Sequence, residues 1–265
     1  MRRATRNFYL GIKGIGSDFP ISVQSMTKTD TRNINATVDQ IETLANAGCD
    51  IIRCAVPNIE AAKALKDIIR KIHIPLVADI HFEYTLALEA IKSGIQGLRI
   101  NPGNIGAVKR IKQVVSAAKD KGIPIRIGVN SGSLEKDILK KHGSPTSDAL
   151  VESAMRHIAI LDDLNFSDIK VSVKSTSVQI MQESYRKLAS LTNIPLHLGV
   201  TEAGTYKIGS IKSSIGIGGL IVDGIVDTLR VSMTGDPLDE VIMGRNILKA
   251  LGHYENGIEL ISCPG

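Results

Sequence analysis

Short runs of Val, Ile and Leu alternate along the chain with longer stretches that have helical periodicity. Eight such runs are typical of buried strands, and they begin at intervals of about 30 residues. The predicted strands are Ile21–Gln24, Asp50–Cys54, Leu76–Ile80, Gly97–Asn101, Ile125–Val129, Ile169–Lys174, Leu196–Val200 and Thr228–Ser232. Predicted helices between them include Ala36–Ala47, Ile59–Lys71, Tyr84–Ser93, Ile105–Lys121, Ser147–Leu164 and Leu238–Leu251. This alternation predicts βαβ units and a parallel sheet.

Eight strand–helix units predict an α/β fold, the (β/α)8 TIM barrel with eight parallel strands, for which about 250 residues is typical. A doubly wound sheet is the alternative. It usually has fewer strands, and the first strand here lacks the glycine-rich turn of a dinucleotide site. Glycines at turn spacing within Tyr9–Gly16 predict a hairpin that closes the bottom of the barrel. We therefore expect one barrel domain over residues 1–254.

The composition narrows the class of protein. The 265 residues are 43% hydrophobic and 22% charged, which suits a large core. Aromatic residues make up only 3%, which disfavours stacking on nucleic-acid bases. No apolar run approaches the roughly 20 residues of a membrane span, and the basic N-terminus has no apolar signal region. Three cysteines favour a reducing compartment, so a cytoplasmic location is predicted.

The net charge of +5 makes the position of the cations informative. A barrel carries its active site at the carboxyl ends of its strands, and five predicted strands carry a cation toward that end. These cations are Arg53, Arg99, Arg126, Lys174 and Arg230. Asn101, Asn130 and Ser232 are expected on the same faces, because strand residues two apart point the same way. With only Asp79 and Glu202 expected nearby, the excess positive charge predicts an anionic ligand, and the number of cations favours a diphosphate.

Two further positions suit proton transfer or ligand contact. His81 lies two residues after Asp79 at a strand end, although a purely structural histidine fits the same position. Glu202 lies in a Thr-Glu-Ala-Gly segment where a strand passes into a loop.

Cys49 and Cys54 flank a buried strand and are expected to be inert. Glycines in Gly216–Gly219 suggest either a phosphate loop or, more simply, close packing of a helix on the barrel.

Longer motifs identify a family resemblance. From Pro20 to Pro264 the chain resembles the barrel domain of the 4-hydroxy-3-methylbut-2-enyl diphosphate synthases, iron–sulfur enzymes of the methylerythritol phosphate route to isoprenoids. The matching motifs are VQSMTKTDT (23–31), PLVADIHF (75–82), LRINPGNIG (98–106), IPIRIGVNSGSLEKD (123–137), PLHLGVTEAG (195–204) and DTLRVSMTGDP (227–237).

The resemblance implies a function for these residues. It implies reductive ring opening and dehydration of 2-C-methyl-D-erythritol 2,4-cyclodiphosphate, with electrons delivered from flavodoxin or ferredoxin through a [4Fe–4S] cluster. The eight cationic and polar strand-end residues would bind the diphosphate. Asp79, His81 and Glu202 would lie near the reacting carbons as catalytic residues. The resemblance further implies a homodimer, with no nucleic-acid or membrane partner.

The cluster is expected to be incomplete in these 265 residues. By resemblance Cys263 is the first ligand of a Cys-Pro-x-Cys motif, and the chain stops one residue before the second cysteine. We expect 255–265 to be a linker and the first residues of a C-terminal cluster domain, so this chain alone should not turn over. The alternatives are a cluster-less barrel that binds a diphosphate without redox activity, and another phosphate-handling barrel such as an aldolase or a pterin-type synthase. An aldolase would use Lys174 as its Schiff-base lysine.

Overall fold

The computed structural model describes residues 1–101, 105 and 108–254. The strands are β1 (Phe8–Leu10), β2 (Lys13–Ile15), β3 (Ser22–Met26), β4 (Ile51–Ala55), β5 (Leu76–Asp79), β6 (Gly97–Ile100), β7 (Ile125–Asn130), β8 (Ile169–Lys174), β9 (His197–Leu198) and β10 (Thr228–Leu229). The helices are α1 (Ile34–Asn46), α2 (Ile59–Ile69), α3 (Tyr84–Lys92), α4 (Val108–Asp120), α5 (Lys136–His142), α6 (Ser147–Asp162), α7 (Val178–Leu191), α8 (Tyr206–Val222) and α9 (Pro237–Ala250). A short 3-10 turn at Ser131–Ser133 follows β7.

The eight strands β3 to β10 form one parallel sheet in the order β8-β7-β6-β5-β4-β3-β10-β9. A parallel bridge between Val171 and Leu196 joins the two ends of that sheet, and the Val171 amide donates to the Pro195 carbonyl at 3.0 Å. Helices lie between consecutive strands and cover the outside of the sheet. The predicted (β/α)8 barrel is confirmed.

The N-terminal hairpin closes the bottom of the barrel, as predicted. β1 and β2 pair antiparallel, and the side chains of Phe8, Leu10 and Ile15 pack with Ile51 and Val77 in a small apolar cluster separate from the main core. Because Ile51 and Val77 belong to β4 and β5, the hairpin fills the lower end of the lumen with apolar side chains. The lower end of the lumen is therefore apolar.

The ends of several helices follow from local sequence. The side chains of Asn33, Asn58, Thr146 and Ser177 each accept a hydrogen bond from the backbone amide three residues later, which caps α1, α2, α6 and α7. Pro237 occupies the first turn of α9, where a missing amide hydrogen costs nothing.

Helix α8 decides between the two interpretations of Gly216–Gly219, a phosphate loop or close helix packing. Gly216–Gly219 lies inside this helix, and a Cβ added to Gly216 would come within 2.8 Å of a Val200 methyl group. The interpretation as helix–barrel packing is confirmed, since the glycine lets α8 approach the end of β9 closely.

The observed elements differ from the predicted ones mainly at their ends. β9 and β10 have two residues each, shorter than the predicted runs, although the Arg230 amide still donates to the Leu198 carbonyl at 3.0 Å. For the predicted helix Ile105–Lys121 the structure gives Val108–Asp120, and residues 102–104 and 106–107 lie outside the described part. Within the described part, no helix is both long and apolar enough to cross a membrane.

Candidate active site

A polar pocket of about 140 Å³ lies at the carboxyl ends of the barrel strands. The residues that line it are Arg53, Asp79, His81, Arg99, Arg126, Asn130, Ser172, Lys174, Thr201, Arg230 and Ser232. All five cations predicted at strand ends are among them. The polar side chains of Ser172 and Thr201 were not among the predicted site residues, although alternation along β8 places Ser172 on the same face as Lys174.

Strand register brings these side chains together. Asp79 of β5 is opposite Arg99 of β6, and Arg99 is opposite Arg126 of β7. On the next ladder Asn130 is opposite Lys174 of β8. Asp79, Arg99 and Arg126 therefore form one row across three strands, and Asn130 and Lys174 form a second row nearer the mouth.

Asp79 is the central carboxylate of the pocket. Its Oδ1 lies 3.0 Å from Arg99 Nη1, and its Oδ2 lies 3.4 Å from Arg53 Nε and 3.6 Å from His81 Nε2. Burial alone would raise the pKa of this carboxyl, but the charges of Arg53, Arg99 and Arg126 and the contact with His81 outweigh burial and hold the pKa well below its ordinary value. Asp79 is therefore ionised at neutral pH and fixes two guanidinium groups.

The position of Arg230 is fixed by a helix residue outside the sheet. Its Nη2 lies 3.1 Å from Oε2 of Glu240, a buried residue of α9, and Glu240 Oε1 accepts a hydrogen bond from the Met233 amide at 3.0 Å. Sequence reasoning did not identify Glu240. The available signal was its place on the buried face of α9, together with Val241 and Gly244, because a carboxylate on an apolar helix face needs a partner.

Two glycines of the lumen make room for cations. A Cβ added to Gly128 would lie 2.7 Å from Arg99 Nε, and one added to Gly199 would lie 2.9 Å from Lys174 Nζ. Contacts this short do not occur in folded proteins. The absence of a side chain at these two positions is thus a condition for the observed positions of Arg99 and Lys174.

Arg126 and Lys174 are the two basic side chains of the pocket that lack a carboxylate partner in the described structure. Among the described residues, no carboxylate lies within ion-pair distance of either side chain, and both are buried. Burial, reinforced by neighbouring guanidinium groups, lowers the pKa of Lys174 well below its ordinary value. Burial also lowers the pKa of Arg53 to about 10 despite the nearby Asp79. The pocket thus has five basic side chains, four of them arginines, against one lining carboxylate, with Glu240 behind Arg230.

Two of the predicted site residues occupy other positions. Asn101, at the end of β6, is buried but does not line the pocket. Glu202 is exposed and lies next to Thr201 at the rim, outside the lining set. Its φ of 50° is in the left-handed region, which is uncommon for a residue with a Cβ.

The described residues do not fit a metal cluster. Within 1–101, 105 and 108–254, no group of three or more His, Cys, Asp or Glu side chains could hold a metal ion. Cys49 and Cys54 are buried, and burial raises their pKa values to about 12 and about 11, so both remain thiols rather than the thiolates that bind iron. These two cysteines are inert core residues, as expected. Cys263, the predicted ligand, lies outside the described residues.

Comparison with known families identifies the chain. The family model described as the GcpE TIM-barrel domain matches residues 5–245. The chain belongs to this family. Members with which it aligns include proteins from Clostridium perfringens, 58% identical over 99% of this chain and 75% of the relative, and from Clostridium tetani, 60% identical with the same coverage. Both are named 4-hydroxy-3-methylbut-2-en-1-yl diphosphate synthase (flavodoxin).

Solved structures of similar shape extend beyond the GcpE family. A dihydropteroate synthase from Xanthomonas albilineans aligns with a TM-score of 0.63 at 11% identity, over 94% of this chain and 97% of that chain. A 3-dehydroquinate dehydratase from Geobacillus kaustophilus aligns with a TM-score of 0.64 at 14% identity, over 97% of this chain and 100% of that chain. At such low identity the likeness concerns the barrel fold alone.

Proposed function

We propose that this chain is the substrate-binding barrel of a 4-hydroxy-3-methylbut-2-en-1-yl diphosphate synthase, acting on 2-C-methyl-D-erythritol 2,4-cyclodiphosphate in isoprenoid biosynthesis. The observation that carries the proposal is the pocket itself, in which Arg53, Arg99, Arg126, Lys174 and Arg230 converge with a single lining carboxylate. Uncompensated buried cations favour a multiply charged anion. Relatives at up to 60% identity bear this enzyme name.

The barrel's contribution is to bind and orient the diphosphate. Arginine guanidinium groups bind phosphate oxygens through pairs of hydrogen bonds, and the amide of Asn130 and the hydroxyl groups of Ser172 and Ser232 add neutral donors. Asp79 and Glu240 keep three of the arginines oriented before ligand arrives. These side chains are already ordered in the folded chain, so binding loses less conformational entropy and is favoured. We place Asn101 in the same binding set on the strength of the family motif.

Three residues are proposed to lie at the reacting part of the substrate, namely His81, Glu202 and, behind His81, Asp79. His81 is half exposed at the mouth, with Nε2 3.6 Å from Asp79, and suits proton transfer to a departing oxygen. Glu202 is proposed as a second acid at the rim. The backbone around it is fixed, since the Thr201 amide donates to the Ser175 carbonyl and the Ala203 amide to the Ser232 carbonyl, both at 3.2 Å. A left-handed glutamate costs of order 1 kcal/mol and supports a functional role for this position.

The overall reaction would be that of an oxidoreductase acting on CH or CH2 groups, with an iron–sulfur protein, flavodoxin or ferredoxin, as electron donor. Two relatives carry flavodoxin in their names. The family's [4Fe–4S] cluster, with Cys263 as one ligand in residues 255–265, remains a prediction, and because the described residues do not fit such a group, no step is derived through it. Free buried thiols at Cys49 and Cys54 support the proposed cytoplasmic location.

The proposed homodimer is supported by the outer face of α8. Ile208, Ile211 and Ile215 share one face of this helix, on which Lys212 also lies, and each isoleucine is about half exposed. A groove of about 440 Å³ between α8 and α9 continues the surface. A second copy of this chain is the proposed occupant, because a two-fold axis would place the same apolar stripe of each α8 against its counterpart.

Binding of the cyclic diphosphate to the 265-residue chain tests the proposal. Isothermal titration calorimetry should give one site per chain, and Arg126→Ala should weaken affinity by about ten- to a hundredfold, because a charge-assisted hydrogen bond contributes roughly 1.5–3 kcal/mol. Lys63→Ala, on the exposed face of α2, is the matched control and should bind like the parent. Equal, small losses in the two variants would contradict the pocket assignment, and absence of binding at millimolar ligand would overturn it.

A further inference from the structure

The Lys174 amine occupies an unusual position in the pocket. It lies at the end of β8, a strand whose six residues are all buried, and its side chain lines the cavity that also contains Arg126 and Arg230. Among the described residues, no carboxylate lies within 4.0 Å of Nζ, which is the limit for an ion pair. Asp79, the one lining carboxylate, is already engaged by Arg53 and Arg99.

Space around this amine is provided by a glycine on the next strand segment. A Cβ at Gly199 would lie 2.6 Å from the Arg230 carbonyl oxygen and 2.9 Å from Lys174 Nζ, so a larger residue would crowd both. Glycine at this position leaves the amine its place in the lining of the cavity, among the donors that bind an anion. A small anionic molecule held by the arginines would therefore share the cavity with the Lys174 amine.

We propose that Lys174 is a carbonyl-reactive amine, which forms an imine with small aldehydes that carry a phosphate group. Nζ would bond to the aldehyde carbon, and the carbonyl oxygen would leave as water with the two amine hydrogens. The step needs no oxidant or reductant. Carbon–carbon bond chemistry is not implied, and the consequence for the enzyme would be reversible blockage of its own anion site.

The charges around Lys174 favour the neutral, nucleophilic amine. Burial is the main influence that lowers its pKa, and Arg126 of β7, Arg230 of β10, Arg53 of β4 and Arg99 of β6 each lower it further. Arginine does not release its proton at physiological pH. The repulsion among these groups is therefore relieved when Lys174 loses its proton. A desolvated lysine beside other cations is an established way to activate an amine as a nucleophile.

Lys174 can be reached from the pocket, whereas a second buried lysine on the same strand cannot. Lys170 lies four residues earlier, also on the lumen face, and burial with the charge of Arg126 lowers its pKa to about 7. Its Nζ is enclosed, has no hydrogen-bond partner among the residues that the structure describes, and does not line the pocket. Both amines are activated, but only Lys174 can meet a ligand from the mouth. Lys170 is thus an internal control for reactivity without access.

The size of the cavity sets the class of aldehyde. At about 140 Å³ it holds a phosphate group and a few further atoms. Glycolaldehyde phosphate is a suitable probe, because its aldehyde carbon is separated from the phosphate by one carbon and one oxygen. Glycolaldehyde itself is the matched probe without the anion.

The test is borohydride trapping of the imine at pH 7.4, followed by peptide mass spectrometry. Glycolaldehyde phosphate should label Lys174 at least about tenfold more than Lys170 or the exposed Lys63, since an ordinary lysine is only about 0.1% neutral at this pH. Unphosphorylated glycolaldehyde should label it at least about tenfold less at equal concentration, and inorganic pyrophosphate should protect it. Lys174→Arg removes the primary amine and puts a guanidinium group in its place, so this variant should lose the label.

The proposal rests on the anion pocket of the proposed function, and the two fail differently. Labelling spread over exposed lysines, labelling unaffected by the phosphate group, or an equal signal in Lys174→Arg would overturn the reactivity of Lys174 and leave the anion site in place. Failure of the parent chain to bind pyrophosphate would overturn the anion site itself. If Lys174→Arg fails to fold, protection by pyrophosphate and the comparison of the two probes on the parent chain still decide the matter.

Discussion

Glu240 and Arg230 form an ion pair that joins the last helix to the mouth of the barrel. Glu240 Oε2 is 3.1 Å from Arg230 Nη2, and its other oxygen accepts the Met233 amide, so one buried carboxylate fixes both the guanidinium and the loop after β10. One of the five cations of the pocket thus owes its position to a residue that never reaches the cavity.

Glu240→Gln should lower the stability of the ligand-free chain. Removing one partner of a buried ion pair leaves an uncompensated charge and costs about 3–5 kcal/mol. Chemical denaturation in urea measures the loss. Pyrophosphate should stabilise this variant, since the anion supplies the missing negative charge near Arg230. Asp239→Asn, a neighbouring position on the same helix, is the control, and a loss as large as that of Glu240→Gln would contradict the argument.

Asp79→Asn should change the pH dependence of stability. The folded-state pKa of Asp79 is well below the ordinary value of about 3.9, so its stabilising contribution is fully present above that value and is lost as pH falls through the folded-state pKa. The parent chain should therefore lose stability below about pH 4, and the variant should lose less over that window while being less stable at pH 7.

Urea unfolding at a series of pH values between 3 and 7 measures this difference. Asp39→Asn, which removes an exposed carboxylate of α1, is the control and should keep the parent's profile over this pH range. Parallel pH curves for the parent and Asp79→Asn would show that Asp79 does not contribute through its charge.

Gly128→Ala should weaken anion binding through Arg99. The added methyl group would lie 2.7 Å from Arg99 Nε, so the guanidinium must move away from its contact with Asp79. Loss of one well-placed donor should reduce pyrophosphate affinity by about tenfold. Gly132→Ala is the matched control, because nothing lies within 4 Å of its added Cβ. Calorimetry of both variants measures the effect, and equal affinities would show that Arg99 adjusts without cost.

Ile215→Lys should convert the proposed dimer to a monomer. Ile215 is about half exposed on α8, and a charge at this position of the apolar stripe would have to be buried in the interface. Light scattering during gel filtration gives the mass directly. Ile12→Lys, an exposed residue in the N-terminal hairpin, is the control and should keep the parent's mass. A parent chain that is already monomeric at micromolar concentration would refute the interface.

Much of the architecture followed from the sequence because it depends on local periodicity. Alternation with a period of two in Ile169–Lys174 places Lys170, Ser172 and Lys174 on one face, and the same rule predicted the other strand-end cations. Since parallel strands in a barrel end at one rim, a list of strand ends was enough to predict that these side chains converge. The hairpin at the bottom was predicted for the same kind of reason, from glycines at turn spacing.

The partners of those cations depended on tertiary structure. Which arginine meets Asp79, and that Gly128 must be small for Arg99 to reach it, follow from the register between β5, β6 and β7, which no local pattern specifies. Glu240 reaches Arg230 because α9 packs against β3 and turns one carboxylate inward. Glu202, expected within the cationic pocket, lies at its rim because the chain leaves the sheet soon after the short strand β9. Residue type and spacing determined which groups enter the lumen, whereas side-chain contacts between distant segments decided their charge state and orientation.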